Sequence, residues 1–186
     1  MRRLLTPPLA LLVSVVLAAS GTVLLPTAAH AARTAQGDAR DTQGDLDLQR
    51  VRLKTSGQRV VATLTTYAAT SRDDLDNANS LELHVKVAPQ RTRRVLVQWL
   101  GDGLVATICT RRTSSPVSRD CSDLRVRRAG PSAVRVVIPR AKIKKDAKAY
   151  RWRASSTAWT RTAGCSTAPY CEDLVPSSGR YLVWRP

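Results

Sequence analysis

Between Leu81 and Val87 every second residue is aliphatic: Leu81, Leu83, Val85 and Val87 alternate with Glu82, His84 and Lys86. A helix would scatter these residues around its axis, whereas an extended strand sends them all to one face. The same period of two returns at Val95, Val97 and Trp99, at Leu124 and Val126, at Val134, Val136 and Ile138, and at Tyr150, Trp152 and Ala154. It also runs through Leu46 and Leu48, then Val51 and Leu53, with the phase slipping by one residue between Leu48 and Val51. A slip of that kind predicts a β-bulge.

Turn chemistry punctuates these runs. Thr55-Ser56-Gly57-Gln58, Pro89-Gln90-Arg91, Gly101-Asp102-Gly103 and Ala129-Gly130-Pro131-Ser132 separate neighbouring strands, and Pro139 closes one. Arg59–Tyr67 and Leu104–Thr110 read as further strands, and Tyr181–Trp184 as a last one. Thr70–Ser80, Arg111–Ser122 and the stretch from Thr157 onward read as loops, and Ala141–Lys148 as one helical turn or a basic loop. Eight or nine short strands with no long helical pattern predict an antiparallel β-sandwich or jelly roll.

The amino terminus is a different kind of sequence. Arg2 and Arg3 precede an apolar stretch, Leu9–Leu25, and Ala29-His30-Ala31 is a small-x-small cleavage site. Residues 1–31 therefore read as a signal peptide, 32–44 as a flexible lead-in, and 45–186 as a single domain. The mature form is expected to be exported, without a membrane span. All four cysteines lie beyond residue 31, and an even number in an exported chain favours disulfides. Three pairings are open; Cys109–Cys121 and Cys165–Cys171 are favoured because each closes one local loop. Zinc is disfavoured, since the cysteine spacing does not give paired C-x-x-C and His84 is the sole histidine after residue 31.

Charge narrows the partners. The chain carries +16, or +14 once Arg2 and Arg3 are removed, with 24 arginines against 6 lysines. Arg50, Arg52, Lys54, Lys86, Arg125, Arg127, Arg135, Arg151 and Arg153 all occupy positions opposite the apolar ones. Gathered on one sheet they would make a cationic plate for a polyanion; scattered, they are a solvated sheet surface. Arginine excess also follows from a GC-rich genome. That explanation does not cover the lysines, of which Lys142, Lys144, Lys145 and Lys148 cluster beside Arg140. No aromatics interleave with the strand arginines, which disfavours nucleic acid. Trp99, Tyr150 and Trp152 fall in the apolar phase and are expected in the core, while Trp159 and Tyr170 are the best candidates for an exposed sugar-stacking platform.

No cofactor or metal is assigned. Asp38, Asp41, Asp45 and Asp47, and separately Asp73, Asp74 and Asp76 with Asn77 and Asn79, offer oxygens of the kind calcium takes. Neither segment fits an EF-hand, and turn formation accounts for both. Catalysis is not expected: there is no G-x-S-x-G elbow, and nothing selects a carboxylate pair from Glu82, Glu172 and the aspartates.

Gly44-Asp45-Leu46-Asp47-Leu48 leading into Val51-Arg52-Leu53, the Cys109–Cys121 loop, Val134-Arg135-Val136-Val137-Ile138-Pro139-Arg140 and Cys171-Glu172-Asp173-Leu174-Val175-Pro176 with Gly179 carry a resemblance. The chain resembles small secreted β-sandwich proteins of high-GC Gram-positive bacteria that have no assigned function, and in layout carbohydrate-binding or DOMON-type sandwiches. The resemblance implies the fold and the location and transfers no site residue. The expectation is a non-catalytic secreted or cell-wall-associated module for an extracellular polyanion, glycan or protein. The binding residues expected are Arg125, Arg127, Arg151, Arg153, Lys142, Lys144, Lys145, Trp159 and Tyr170. The alternatives are a secreted hydrolase with a carboxylate site and a structural or inhibitory protein-binding module.

Overall fold

A computed structural model describes residues 32–76, 79–112, 119–159, 164–165 and 170–186; residues 1–31, expected to be a signal peptide, lie outside the described residues. Among the described residues eleven strands run in chain order: β1 (Arg33–Gly37), β2 (Leu48–Ser56), β3 (Arg59–Thr66), β4 (Ser80–Ala88), β5 (Arg91–Leu100), β6 (Gly103–Arg112), β7 (Arg119–Gly130), β8 (Ala133–Pro139), β9 (Tyr150–Ala158), β10 (Cys171–Val175) and β11 (Leu182–Trp184). A four-residue helix, α1 (Arg140–Ile143), follows β8.

All pairings are antiparallel, in the order β1-β2-β3-β8-β7-β6-β5-β4-β9-β10, with β11 also on β9. The long strand β7 is the corner. Its first half pairs with β6 as far as Leu124, and its second half pairs with β8 from Arg125. One continuous sheet thus turns from one wall to the other instead of stacking as two separate sheets. Its ends come together where the Leu48 N–H donates to Asp173 Oδ2 (2.7 Å), across 125 residues of sequence. The result is nearly barrel-shaped with eleven strands, which corrects the expected sandwich of eight or nine.

The two extra strands have physical reasons for escaping notice. β1 lies within the expected lead-in, yet Arg33–Gly37 pairs with Lys54–Arg50 of β2; as an edge strand beside exposed arginines it needs no apolar face. β10 holds only Asp173 and Val175 on its buried side, too short a pattern to read. Strands β6 and β7 also extend into the expected Arg111–Ser122 loop, as far as Arg112 and from Arg119.

Elsewhere pattern and structure agree. The register shift falls between Leu48 and Arg50, where the phase slips. The β5–β6 hairpin turns on Gly101 and Asp102, and Gly101 has φ 58°, which glycine adopts without a steric penalty. Both disulfides pair as expected, Cys109–Cys121 and Cys165–Cys171. The core collects the alternating aliphatics around fully buried Trp152 and Tyr150. Tyr150 packs on Trp184 of β11 (ring centroids 5.6 Å apart), and its hydroxyl donates to the Lys144 carbonyl (2.6 Å).

Candidate functional site

Cross-strand register decides which cations meet. On the outer side of the β1-β2-β3-β8-β7 wall, one row runs Arg52, Thr63, Arg135, Arg127, and the next runs Arg33, Lys54, Val61, Val137, Arg125. Arg125 and Arg127 are exposed here. On the other wall, one row runs Arg94, His84, Arg153 and its neighbour Arg111, Thr92, Lys86, Arg151. Four strand spacings separate β7 from β9, about 19 Å along a curved sheet. The expected cationic residues are therefore split: Arg125 and Arg127 belong to one face, Arg151 and Arg153 to the other, and no single plate unites them.

The lysine cluster belongs to neither row. Lys142 lies on α1 and donates to Ser122 Oγ (2.6 Å), while Lys144 and Lys145 are exposed just beyond it. Trp159 and Tyr170, distant in sequence, do come together. They are 51% and 41% exposed, with ring centroids 4.7 Å apart, beside the second disulfide. The Trp159 N–H is held by Asn79 Oδ1 (2.6 Å).

The β4 wall differs most from the pattern-based expectation. Glu82 and His84 occupy the charged phase of the strand yet are 5% and 6% exposed, so both sides of β4 are covered. They persist because they satisfy one another. Arg94, directly opposite His84, donates through Nε to Glu82 Oε2 (2.7 Å) and through Nη2 to Oε1. Ser80 Oγ lies 3.3 Å from Oε1. His84 Nε2 lies 3.0 Å from Glu82 Oε2 and 3.3 Å from Ser155 Oγ. Burial alone would raise the Glu82 pKa, but the His84 and Arg94 hydrogen bonds outweigh it and hold the carboxyl down at about 2. Serine and carboxylate both face the same ring nitrogen, so the contact is a structural clasp rather than a nucleophile–base–acid relay, which needs both nitrogens.

Beside this clasp is a hollow of about 240 Å³ walled by His84, Thr92, Arg111, Arg112, Arg153 and Tyr181. Arg153 stacks on Tyr181 (Cζ 5.1 Å from the ring centroid) and donates to the Gly179 carbonyl (3.2 Å), which fixes its guanidinium in place. Lys86 reaches the same ring at 5.8 Å. Glu82 is occupied by Arg94 and His84, and among the described residues no acid pairs with Arg111, Arg112 or Arg153. Of this wall, sequence reasoning selected Arg153 and missed Thr92, His84, Arg111, Arg112 and Tyr181. The register of β4 against β5 and β9, and of β5 against β6, brings them together, and the return of the chain after β10 supplies Tyr181.

Carboxylates gather elsewhere, where the sheet closes. Oxygens of Asp38, Asp41 and Asp173 lie within 4.8 Å of one another. Burial, aided by Asp38 and Asp47, raises the Asp173 pKa to about 6 against the pull of the Leu48 and Leu174 N–H groups. In the second acidic segment Asp74 accepts from the Ser71 N–H at the start of a 3₁₀ turn, Asp73–Leu75, while Asn77 lies outside the described residues. Comparison with protein-family models, curated proteins and solved structures finds no match.

Two closed disulfides fit an oxidising, extracellular setting, and among the described residues no helix is long and apolar enough to cross a membrane.

Proposed function

We propose that the protein is a non-catalytic, exported binding module for an anionic polymer, gripping its acidic groups in the hollow beside β4. The observation that carries this is the wall itself: Arg111, Arg112 and Arg153 line 240 Å³ of space with no acidic partner among the described residues. Guanidiniums left unpaired at a concave site present fork-like donors suited to phosphate, sulfate or carboxylate. Arg153, held by Tyr181 and Gly179, loses little further freedom on binding. The expected export signal and the two disulfides support a secreted or wall-associated setting.

The exposed Trp159–Tyr170 pair favours an acidic glycan among such polymers, since an open aromatic pair offers a sugar ring an apolar face. The hydrolase alternative draws less support. A glycoside-cleaving pair needs two carboxylates facing each other across a cleft, and in the gathered set Asp173 is buried and accepts from the Leu48 and Leu174 N–H groups.

The test is binding to heparin and to long-chain polyphosphate, read by fluorescence anisotropy across 50–300 mM NaCl. Affinity falls steeply with salt. Replacing Arg111 and Arg153 together by Ala weakens binding about tenfold, a loss of roughly 1.4 kcal/mol. Replacing Arg125 and Arg127 together, an equal change of charge, weakens it less. Equal losses from both pairs, or no binding at 50 mM, would overturn the reading.

A further inference from the structure

The corner in β7 opens a seam in the sheet. The β6–β7 ladder ends at Ala106 and Leu124. Continued by two residues it would set Leu104 against Val126. Instead β7 turns away at Arg125 to pair with β8, and Val126 meets Val136. Leu104, Leu124 and Val126 keep the inward phase of their strands, yet all three are only half-buried, while Ala106 and Val136 beside them are sealed. A hollow of about 540 Å³ lies at this seam, lined by Leu104, Leu124, Val126 and Val137 together with Arg125, Arg127 and Arg135. That is the size of a site for one small organic molecule, commonly about 300–1,000 Å³.

The cations of the seam are unspent. Arg125, Arg127 and Arg135 make no ion pair or hydrogen bond among the described residues, and Asp123, the nearest acid along β7, pairs with none of them. Arg125 and Arg127 are exposed; Arg135 is half-buried, and its Nε is enclosed without an acceptor. An enclosed N–H lacking an acceptor is a cost that an incoming anion removes, and a guanidinium fork fits a carboxylate. The apolar residues call for a different half of the same ligand. They sit lower than Arg125 and Arg127, so a flat bilayer pressed on this face meets guanidiniums, whereas one chain passing between them reaches the leucines. A bare anion would leave the leucines wet, and a neutral lipid would leave the guanidiniums unpaired.

We propose that the seam binds one free fatty acid, its tail on Leu104, Leu124, Val126 and Val137 and its carboxylate held by Arg125, Arg127 and Arg135. The site shares no residue with the hollow beside β4, so it does not rest on the polymer reading. Arg125 and Arg127 were visible in the sequence as strand cations. The apolar half was hidden, because Leu124 and Val126 read as core until the corner uncovers them.

The experiment is isothermal titration calorimetry of the disulfide-bonded protein with octanoate, decanoate and laurate, each below its micelle concentration. One molecule binds per chain, and each added methylene tightens binding about three- to fourfold, as burial of a CH₂ implies. Decanol and decyltrimethylammonium, of the same tail length as decanoate, bind about tenfold more weakly or not at all. Arg125→Ala with Arg127→Ala, both exposed and tolerant of change, weakens laurate about tenfold. Arg50→Ala with Arg52→Ala, the same loss of charge elsewhere on this wall, weakens it by less than about twofold in 150 mM NaCl. Decanol matching decanoate, or equal losses from the two arginine pairs, would overturn the proposal. So would binding of phosphatidylglycerol vesicles, or of a peptide alternating leucine and glutamate, without binding of laurate; the seam would then take a membrane surface or an added strand.

Discussion

The two walls of this molecule use one sequence pattern to opposite ends. Both β2, on the β8 wall, and β4 alternate aliphatic with polar or charged residues. On the β8 wall, Arg52, Arg127 and Arg125 stand in water, as the alternation implies. On the β4 wall, Glu82 and His84 are sealed under Arg94, Arg153 and the returning C-terminal chain. The difference teaches that period two fixes which residues share a face, while cross-strand neighbours decide whether that face is wet. Arg127, opposed to another arginine, Arg135, across β7 and β8, stays exposed, while Arg135 is half-buried. A carboxylate set among Arg94, His84 and two serines is able to go under cover.

The largest test of the contrast acts on the cover. Trp184 is 3% exposed and packs on Tyr150 from inside, anchoring the segment that brings Tyr181 over Arg153 three residues earlier. Trp184→Ala is expected to cost about 3–5 kcal/mol, measured by urea unfolding. It should also open His84 to diethylpyrocarbonate. Loss of stability with His84 still protected would show that the cover does not depend on this anchor.

A smaller effect comes from the clasp beneath. Glu82 has a folded pKa of about 2 against an ordinary 4.5. A carboxyl held down in this way stabilises the fold fully above about pH 4.5 and progressively less as pH falls toward 2. The contribution is on the order of 2–3 kcal/mol. Glu82→Gln should lower stability at pH 7 by a similar amount and flatten the acid limb between pH 4.5 and 2. An unchanged acid profile in Glu82→Gln would break the distinction.

Much of this was written in the residues themselves. Alternation located nine of the eleven strands, at least in part, because Leu, Val and Trp at every second position leave a strand few other ways to hide them. The disulfides were readable because each closes its own loop. What alternation could not show was β1, whose inner positions are Thr34 and Gln36 rather than aliphatics, or the corner in β7, where one strand serves both walls. The candidate hollow was illegible for a related reason. Arg111, His84, Arg153 and Tyr181 come from four separate segments, and their meeting depends on register rather than spacing. The exposed Trp159–Tyr170 pair was half legible: both residues stood out from the strand phase, but nothing in the sequence put one ring against the other.

The smallest effect probes the wet wall directly. Arg127 and Arg135 are directly opposed across β7 and β8, like charges in register. Such a pair is unfavourable, though solvent screens much of the repulsion at an exposed site. Arg127→Thr should therefore stabilise the protein slightly, by about 0.3 kcal/mol at low ionic strength, and the gain should vanish by 0.5 M NaCl as the Debye length shrinks. Thr63, already facing Arg135 from the other side, shows that threonine fits this row. The corresponding change on the dry wall, Arg94→Thr, should behave in the opposite way: it leaves Glu82 without its bidentate partner, so it destabilises, and salt does not rescue it because the carboxylate stays buried. Opposite signs for two arginine removals on strands of one sheet, one erased by salt and one not, would establish that the walls differ in solvation and not merely in composition. Matching signs would reduce the contrast to a difference in side-chain packing.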